Sequence, residues 1–188
     1  DSVRALGLSG PMMAQLASHP AVAEVLPVES PGTRTQGIFG SSHVHIYFVP
    51  AAAQRPVASQ LGWELLEGRW PEPGTNEVAM TQNVLRNRGL QVGDRIGHDV
   101  DEKDFLRGEW LVTGALRYRR AVGGIGDLDY FLKFRLDELE FPAELIEGPG
   151  HVFLVPEEGN EAELEAFLDS LSEDEVRVNH RSKGEREL

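Results

Sequence analysis

Leu66-Glu67-Gly68-Arg69-Trp70-Pro71-Glu72-Pro73-Gly74-Thr75-Asn76-Glu77-Val78-Ala79-Met80 is a turn-rich stretch that runs into an apolar one. Gly accepts positive φ and Pro presets its own φ, so Gly68, Pro71, Pro73 and Gly74 predict loop and turn over residues 63–73. Glu77-Val78-Ala79-Met80 predicts a short strand. Thr81 is then placed to cap a helix over residues 82–88, which Gly89 ends. Val92-Gly93-Asp94 turns the chain into a strand over residues 95–98. Residues 110–116 read as another strand, with Trp110, Val112 and Gly114 alternating against Leu111 and Thr113.

Towards the amino end, residues 42–49 form the clearest strand of the chain. Val44, Ile46 and Phe48 share one face by the two-residue period, and His43, His45 and Tyr47 share the other. Before it, Ser9 and Pro11 open a helix that carries Met12, Met13 and Leu16 and stops at Pro20. Val22 to Val28 follows as a strand. Past the centre, Gly123-Gly124-Ile125-Gly126 reads as a flexible loop within a mobile segment over residues 119–129, and residues 130–134 as a further strand. The closing part is a strand–helix–strand unit. His151 to Val155 is apolar and β-branched. Leu164, Phe167, Leu168 and Leu171 make an i, i+3, i+4, i+7 stripe on an acidic helix, and Val176 and Val178 mark the last strand. The charged tail from Arg181 is expected to fray, and no internal repeat is present.

The 188 residues suffice for one large domain or two small ones with a buried core. Hydrophobic residues make up 40% and charged residues 26%, a globular composition. Eighteen Lys and Arg stand against 31 Asp and Glu, a net charge of −13, which argues against nucleic acid as a partner. That charge also opposes close self-association, so a monomer or weak dimer is expected. No apolar run is long enough to span a bilayer. With no cysteine, disulfides, thiolate metal sites and Cys nucleophiles are excluded. A start at Asp1 without Met reads as a piece of a longer protein.

Chemistry-bearing clusters are few. His43-x-His45 puts two imidazoles on one strand face and is the best metal candidate, but two ligands are an incomplete zinc set. Asp99, Asp101, Glu102 and Asp104 crowd one loop, yet the sixth and twelfth positions of an EF-hand would be Asp104 and Trp110 in place of Gly and Glu. The Gly123–Gly126 run leads into acidic and aromatic residues, unlike a dinucleotide fingerprint. G-x-x-x-x-G-K-[ST] and G-x-S-x-G are both missing. No complete catalytic set is present, and no cofactor is implied.

Residues 66–80, with Val84-Leu85, Gly89-Leu90-Gln91-Val92-Gly93-Asp94-Arg95-Ile96 and Trp110-Leu111-Val112-Thr113-Gly114, are similar to the MacB-like periplasmic core domain of ABC-transporter permeases, the MacB/FtsX class. The resemblance is strongest over the central part, and the flanks agree with it in order of elements. The acidic loop over residues 98–107 and the segment over residues 119–129 depart from it. It implies an α+β fold, with a porter-like α/β portion from residues 1–62 and 149–188 and an inserted β-rich sabre-like portion over residues 63–148. It further implies a non-catalytic, extracytoplasmic domain that transmits the cycle of a cytoplasmic ATP-binding subunit to an external substrate or partner protein. Transmembrane helices of the same permease would flank it. The alternative is a metal-binding protein or metal-dependent enzyme using His43 and His45.

Two expectations follow. Arg119, Arg120, Tyr130 and Phe131, on an exposed hairpin end, are the candidate partner contact. If membrane helices flank the chain, both of its ends must leave one side of the porter-like portion.

Overall fold

Strand pairing organises the computed structural model, which describes residues 3–6, 10–29, 32–37, 40–97, 109–118, 122–137, 151–171 and 177–180. The elements in chain order are β1 (Val3–Leu6), α1 (Gly10–Ser18), β2 (Val22–Val28), β3 (Gly32–Gly37), β4 (Gly40–Val49), a 3-10 turn (Ala51–Ala53), α2 (Gln54–Gln60), β5 (Glu64–Gly68), β6 (Glu77–Thr81), α3 (Gln82–Arg88), β7 (Arg95–Ile96), β8 (Trp110–Arg117), β9 (Gly123–Asp127), α4 (Leu128–Asp137), β10 (His151–Pro156), α5 (Glu161–Ser170) and β11 (Arg177–His180). The architecture is α+β. It divides into two units, one from Asp1–Val28 with Ala143–Leu188, the other Glu29–Pro142. The resemblance implies breaks after residues 62 and 148. The pairing places β3 and β4 in the second unit, because β4 is hydrogen-bonded to β9.

The first unit is a four-stranded antiparallel sheet, order β11-β1-β10-β2. Helices α1 and α5 are the two crossovers, so the chain makes a split βαβ arrangement whose middle connection holds the second unit. The apolar stripes dictate this packing. Leu16 of α1 and Leu164 and Leu168 of α5 are fully buried with Ala21, Val22, Val152 and Leu154, and Met12, Met13, Phe167 and Leu171 pack at the margin. The His19 ring stacks on Phe167 with centroids 4.0 Å apart. Pro27 sits in edge strand β2, where its missing N–H disturbs no second ladder.

Register fixes where the chain enters and leaves this sheet. Val3 lies opposite His180 and Leu154, at one end. Leu6 lies opposite His151 and Arg177, and His151 opposite Val28, at the other end. The outermost strand residues of the chain, Val3 and His180, therefore share one end. The last residue of β2, Val28, and the first of β10, His151, between which the second unit lies in sequence, share the opposite end.

The second unit is a mixed sheet of seven strands, order β3-β4-β9-β6-β8-β5, with β7 also on β8. Val44, Ile46 and Phe48 of β4 pack with Val78 and Met80 of β6, Trp110 and Val112 of β8, Val84 and Leu85 of α3, and Leu128 and Phe131 of α4. The opposite face is covered as well. Tyr47 is buried edge-on against Trp63 at 5.8 Å, with Val57 and Ala58 of α2 also buried. The face carrying His43, His45 and Tyr47 is therefore not solvated along its length, although His45 itself is exposed.

Three local expectations change in this unit. Residues 64–68 are the strand β5 rather than turn, because pairing of Glu64 with Arg117 through Gly68 with Gly114 draws them onto β8. Residues 123–127 are a fully buried strand between β4 and β6 rather than a mobile loop. Residues 130–134 belong to helix α4, not to a strand. Asp127 accepts the Tyr130 N–H at 3.1 Å as a cap, and Leu128 and Phe131 are spaced for one helix face. Thr81 stands at the N-cap of α3 but does not cap it with its side chain. Its Oγ1 instead accepts the Gly123 N–H at 3.1 Å, joining β6 to β9. Gly89 ends α3 in the left-handed region, φ +67°, as its position predicts.

Candidate functional site

The turn between β5 and β6 is built around one buried carboxylate. Strand β6 presents Glu77 inward at the foot of the turn, where only 6% of the residue is exposed. Two guanidinium N–H groups of Arg69 donate to the two Glu77 oxygens, both at 2.7 Å, and the Glu72 N–H donates to Oε2 at 2.9 Å. Gly68 precedes Arg69 with φ +77°, and a Cβ there would strike the Thr113 carbonyl oxygen. The Arg69 N–H donates to that same oxygen at 2.9 Å. The Gly-Arg pair thus lets the chain pass close over β8 and turn its guanidinium back to Glu77.

The rest of the turn is tied to both flanks. Thr75 Oγ1 donates to the Glu72 carbonyl at 2.8 Å, and Asn76 Nδ2 to the Glu109 carbonyl at 2.6 Å. The Gly74 N–H donates to Asp127 Oδ2 at 3.0 Å, the oxygen that also caps α4. Asp127 therefore couples this turn to the start of a helix fifty-odd residues later. The turn is a structural clamp: its guanidinium and its Thr75 hydroxyl are both engaged within it.

The hydrogen bonds from Arg69 are the main reason the Glu77 carboxyl lies below its ordinary range. Burial works in the opposite direction, and the Glu72 N–H adds to the lowering. A carboxylate with a depressed folded pKa stabilises the protein above its unfolded pKa and loses that contribution as pH falls through the folded value. Thermal melts from pH 7 down to pH 3 should therefore show the native chain losing its advantage over Glu77→Gln below about pH 4.3, the ordinary Glu value. Parallel curves for the two proteins would show that the pair contributes no pH-dependent stability.

Of the proposed contact residues, Tyr130 and Phe131 lie among the described residues. Phe131 is a core residue, 1% exposed and stacked on Phe48 at 4.0 Å, so it cannot be the surface contact expected of it. Tyr130 is half-buried, edge-on to Trp110 at 5.4 Å. Arg119, Arg120 and the acidic loop with Asp99, Asp101, Glu102 and Asp104 lie outside the described residues. His43 and His45 occupy alternate positions of β4, and among the described residues no three His, Asp or Glu side chains gather as metal ligands. The helical spacing of Leu128, Phe131 and Leu132 was the available signal for α4. Nothing in the sequence marked Asp127 as the residue shared by turn and helix.

The split βαβ sheet carrying a mixed-sheet insertion has counterparts among solved structures. The chain is similar in structure to the periplasmic region of MacB from Actinobacillus actinomycetemcomitans, at a TM-score of 0.60 and 10% identity, over 98% of this chain and 91% of that one. It is similar also to the extracellular domain of the noncanonic ABC-type transporter YknZ from Gram-positive bacteria, at 0.52 and 8%, over 96% and 100%. A domain of a putative permease protein from Porphyromonas gingivalis matches at 0.50 and 12%, over 95% and 86%. No family model matches the sequence, and no curated protein matches it significantly. At these identities the likeness is one of fold, and it agrees with the resemblance carried by residues 66–114.

Proposed function

We propose that this chain is a non-catalytic, extracytoplasmic domain of an ABC-transporter permease, transmitting the cycle of a cytoplasmic ATP-binding subunit to an external substrate or partner protein. The observation that carries the reading is the register of the first unit. Val3 and His180 share one end of its sheet, while Val28 and His151 share the other. A sheet entered at one end and continued from the other is suited to relay movement of flanking transmembrane helices along its strands. The first unit lies within the porter-like portion implied for residues 1–62 and 149–188 apart from residues 143–148, and the second contains residues 63–142 of the sabre-like portion implied for residues 63–148. No helix among the described residues is long and apolar enough to cross a membrane. No observation favours the metal reading of His43 and His45.

Arg119 and Arg120 are kept as the partner contact. Tyr118 and Val122, which flank that segment, are 42% and 40% exposed and support it. The test uses the intact transporter, with a flexible Gly-Ser insertion between Val28 and Glu29. External activity should fall by about tenfold or more while ATP turnover persists, because a random-coil linker carries no directed movement. Undiminished external activity would overturn the relay.

A further inference from the structure

We propose that the outer edge of β3 accepts an extended, acidic segment of a partner protein, which adds to the sheet as its next strand. Among the described residues, β3 pairs with β4 alone, through six consecutive positions from Gly32 opposite His45 to Gly37 opposite Gly40. No bulge interrupts that register. The strand at the other end of the sheet is different: β5 has a register shift between Leu65 and Glu67 and carries Glu64 and Glu67, devices that discourage further pairing. The sequence of β3, Gly-Thr-Arg-Thr-Gln-Gly, has neither a proline nor a carboxylate to blunt it.

The β3–β4 ribbon also overhangs the sheet. Among the described residues, β9 joins β4 from His45 onward, and Gly40 to Val44 are paired with β3 alone. A two-stranded ribbon is marginal by itself and gains most from a third strand. Main-chain hydrogen bonds supply affinity in such an addition, and alternate side chains supply the choice of partner.

Charge selects the occupant. The chain carries 31 Asp and Glu, yet none falls between Glu29 and Glu64, where Arg34, His43, His45 and Arg55 lie. An acidic strand beside β3 is therefore attracted, and a second copy is not. Self-pairing of β3 would bring Arg34 towards its own kind with no carboxylate in either strand to offset it. The inference needs only this sheet edge, and it stands or falls separately from the permease reading.

The test is amide hydrogen exchange on the full chain with a synthetic peptide, Val-Glu-Thr-Glu-Val-Glu-Thr, against the same peptide with Lys for Glu. The acidic peptide should slow exchange over residues 32–37 and the basic one should not. Arg34→Glu should weaken the acidic peptide by about tenfold, the scale of one close charge pair. Neighbouring strand residues send their N–H groups to opposite sides, so one of Thr35→Pro and Gln36→Pro removes an outward donor while leaving the pairing with β4 intact. That variant should keep the native melting temperature and lose peptide binding. No slowing over residues 32–37 with the acidic peptide overturns the proposal, as does equal slowing by both peptides. Concentration-dependent protection of β3 without peptide overturns it in favour of a second copy.

Discussion

Gly123→Ala is expected to destabilise the second unit by about 3 kcal/mol or more, at the upper end of what overpacking costs. A Cβ at Gly123 would meet the backbone carbonyl oxygen of His45, the residue opposite it in the parallel pair β4–β9. Neither backbone can step aside without parting two central strands. Gly126→Ala should act in the same direction through a side chain. Its Cβ would lie 2.7 Å and 2.9 Å from two carbons of the Phe48 ring, which is itself held by Phe131. Gly93→Ala is the control: φ is +100°, but nothing lies near the added carbon, so only backbone strain of about 1 kcal/mol is expected. All three tryptophans, Trp63, Trp70 and Trp110, lie in the second unit, so denaturant unfolding followed by their fluorescence isolates it. An unchanged midpoint for Gly123→Ala would mean that β9 is not packed between β4 and β6.

Phe131→Ala should cost about 3–5 kcal/mol, the range for emptying a buried aromatic site. Phe131 lies at the centre of a cluster with Phe48 at 4.0 Å and Trp110 at 6.3 Å, and Phe48 lies 5.3 Å from Trp110. Removing it opens a cavity against β4 and leaves α4 without its main anchor. Tyr130→Ala loses an edge contact from a half-buried position, and about 1 kcal/mol is expected. The contrast separates a core role from a contact role. A Phe131→Ala protein with native stability and impaired partner binding would restore the surface reading of this residue.

The same two residues show how far local pattern reaches. Strands with alternating or β-branched residues, β2, β4, β6, β8 and β10, are legible because each carries its own face in its own residues. Helices α1, α3 and α5 are legible too, from apolar spacing and from Gly89 or Pro20 as stops. Strand β9 is not, because four of its five residues have little or no preference of their own. Gly123, Gly124 and Gly126 become strand only where the His45 and Ala79 carbonyls and the Phe48 ring occupy the space side chains would take. Strand β5 is legible only through β8, since four of its five residues are exposed and none of its own spacing demands a sheet. Helix α4 carried a helical signal in Leu128, Phe131 and Leu132 that the preceding glycines obscured.

The candidate site divides in the same way. The turn residues Gly68 to Glu77 announce a constrained turn, and their types suit it. That Arg69 closes on Glu77, and that Asp127 holds Gly74, depends on strands that meet only after folding. By itself the sequence determined the acidic charge, the lack of thiol chemistry, the apolar faces of the regular helices and strands, and the resemblance of the central stretch. Tertiary structure alone decided the break into units at residues 28/29 and 142/143, the burial of β9 and Phe131, and the shared end of Val3 and His180. The physical reason is range: periodicity records which face of one element is apolar, whereas pairing between distant strands decides which edges and ends come together.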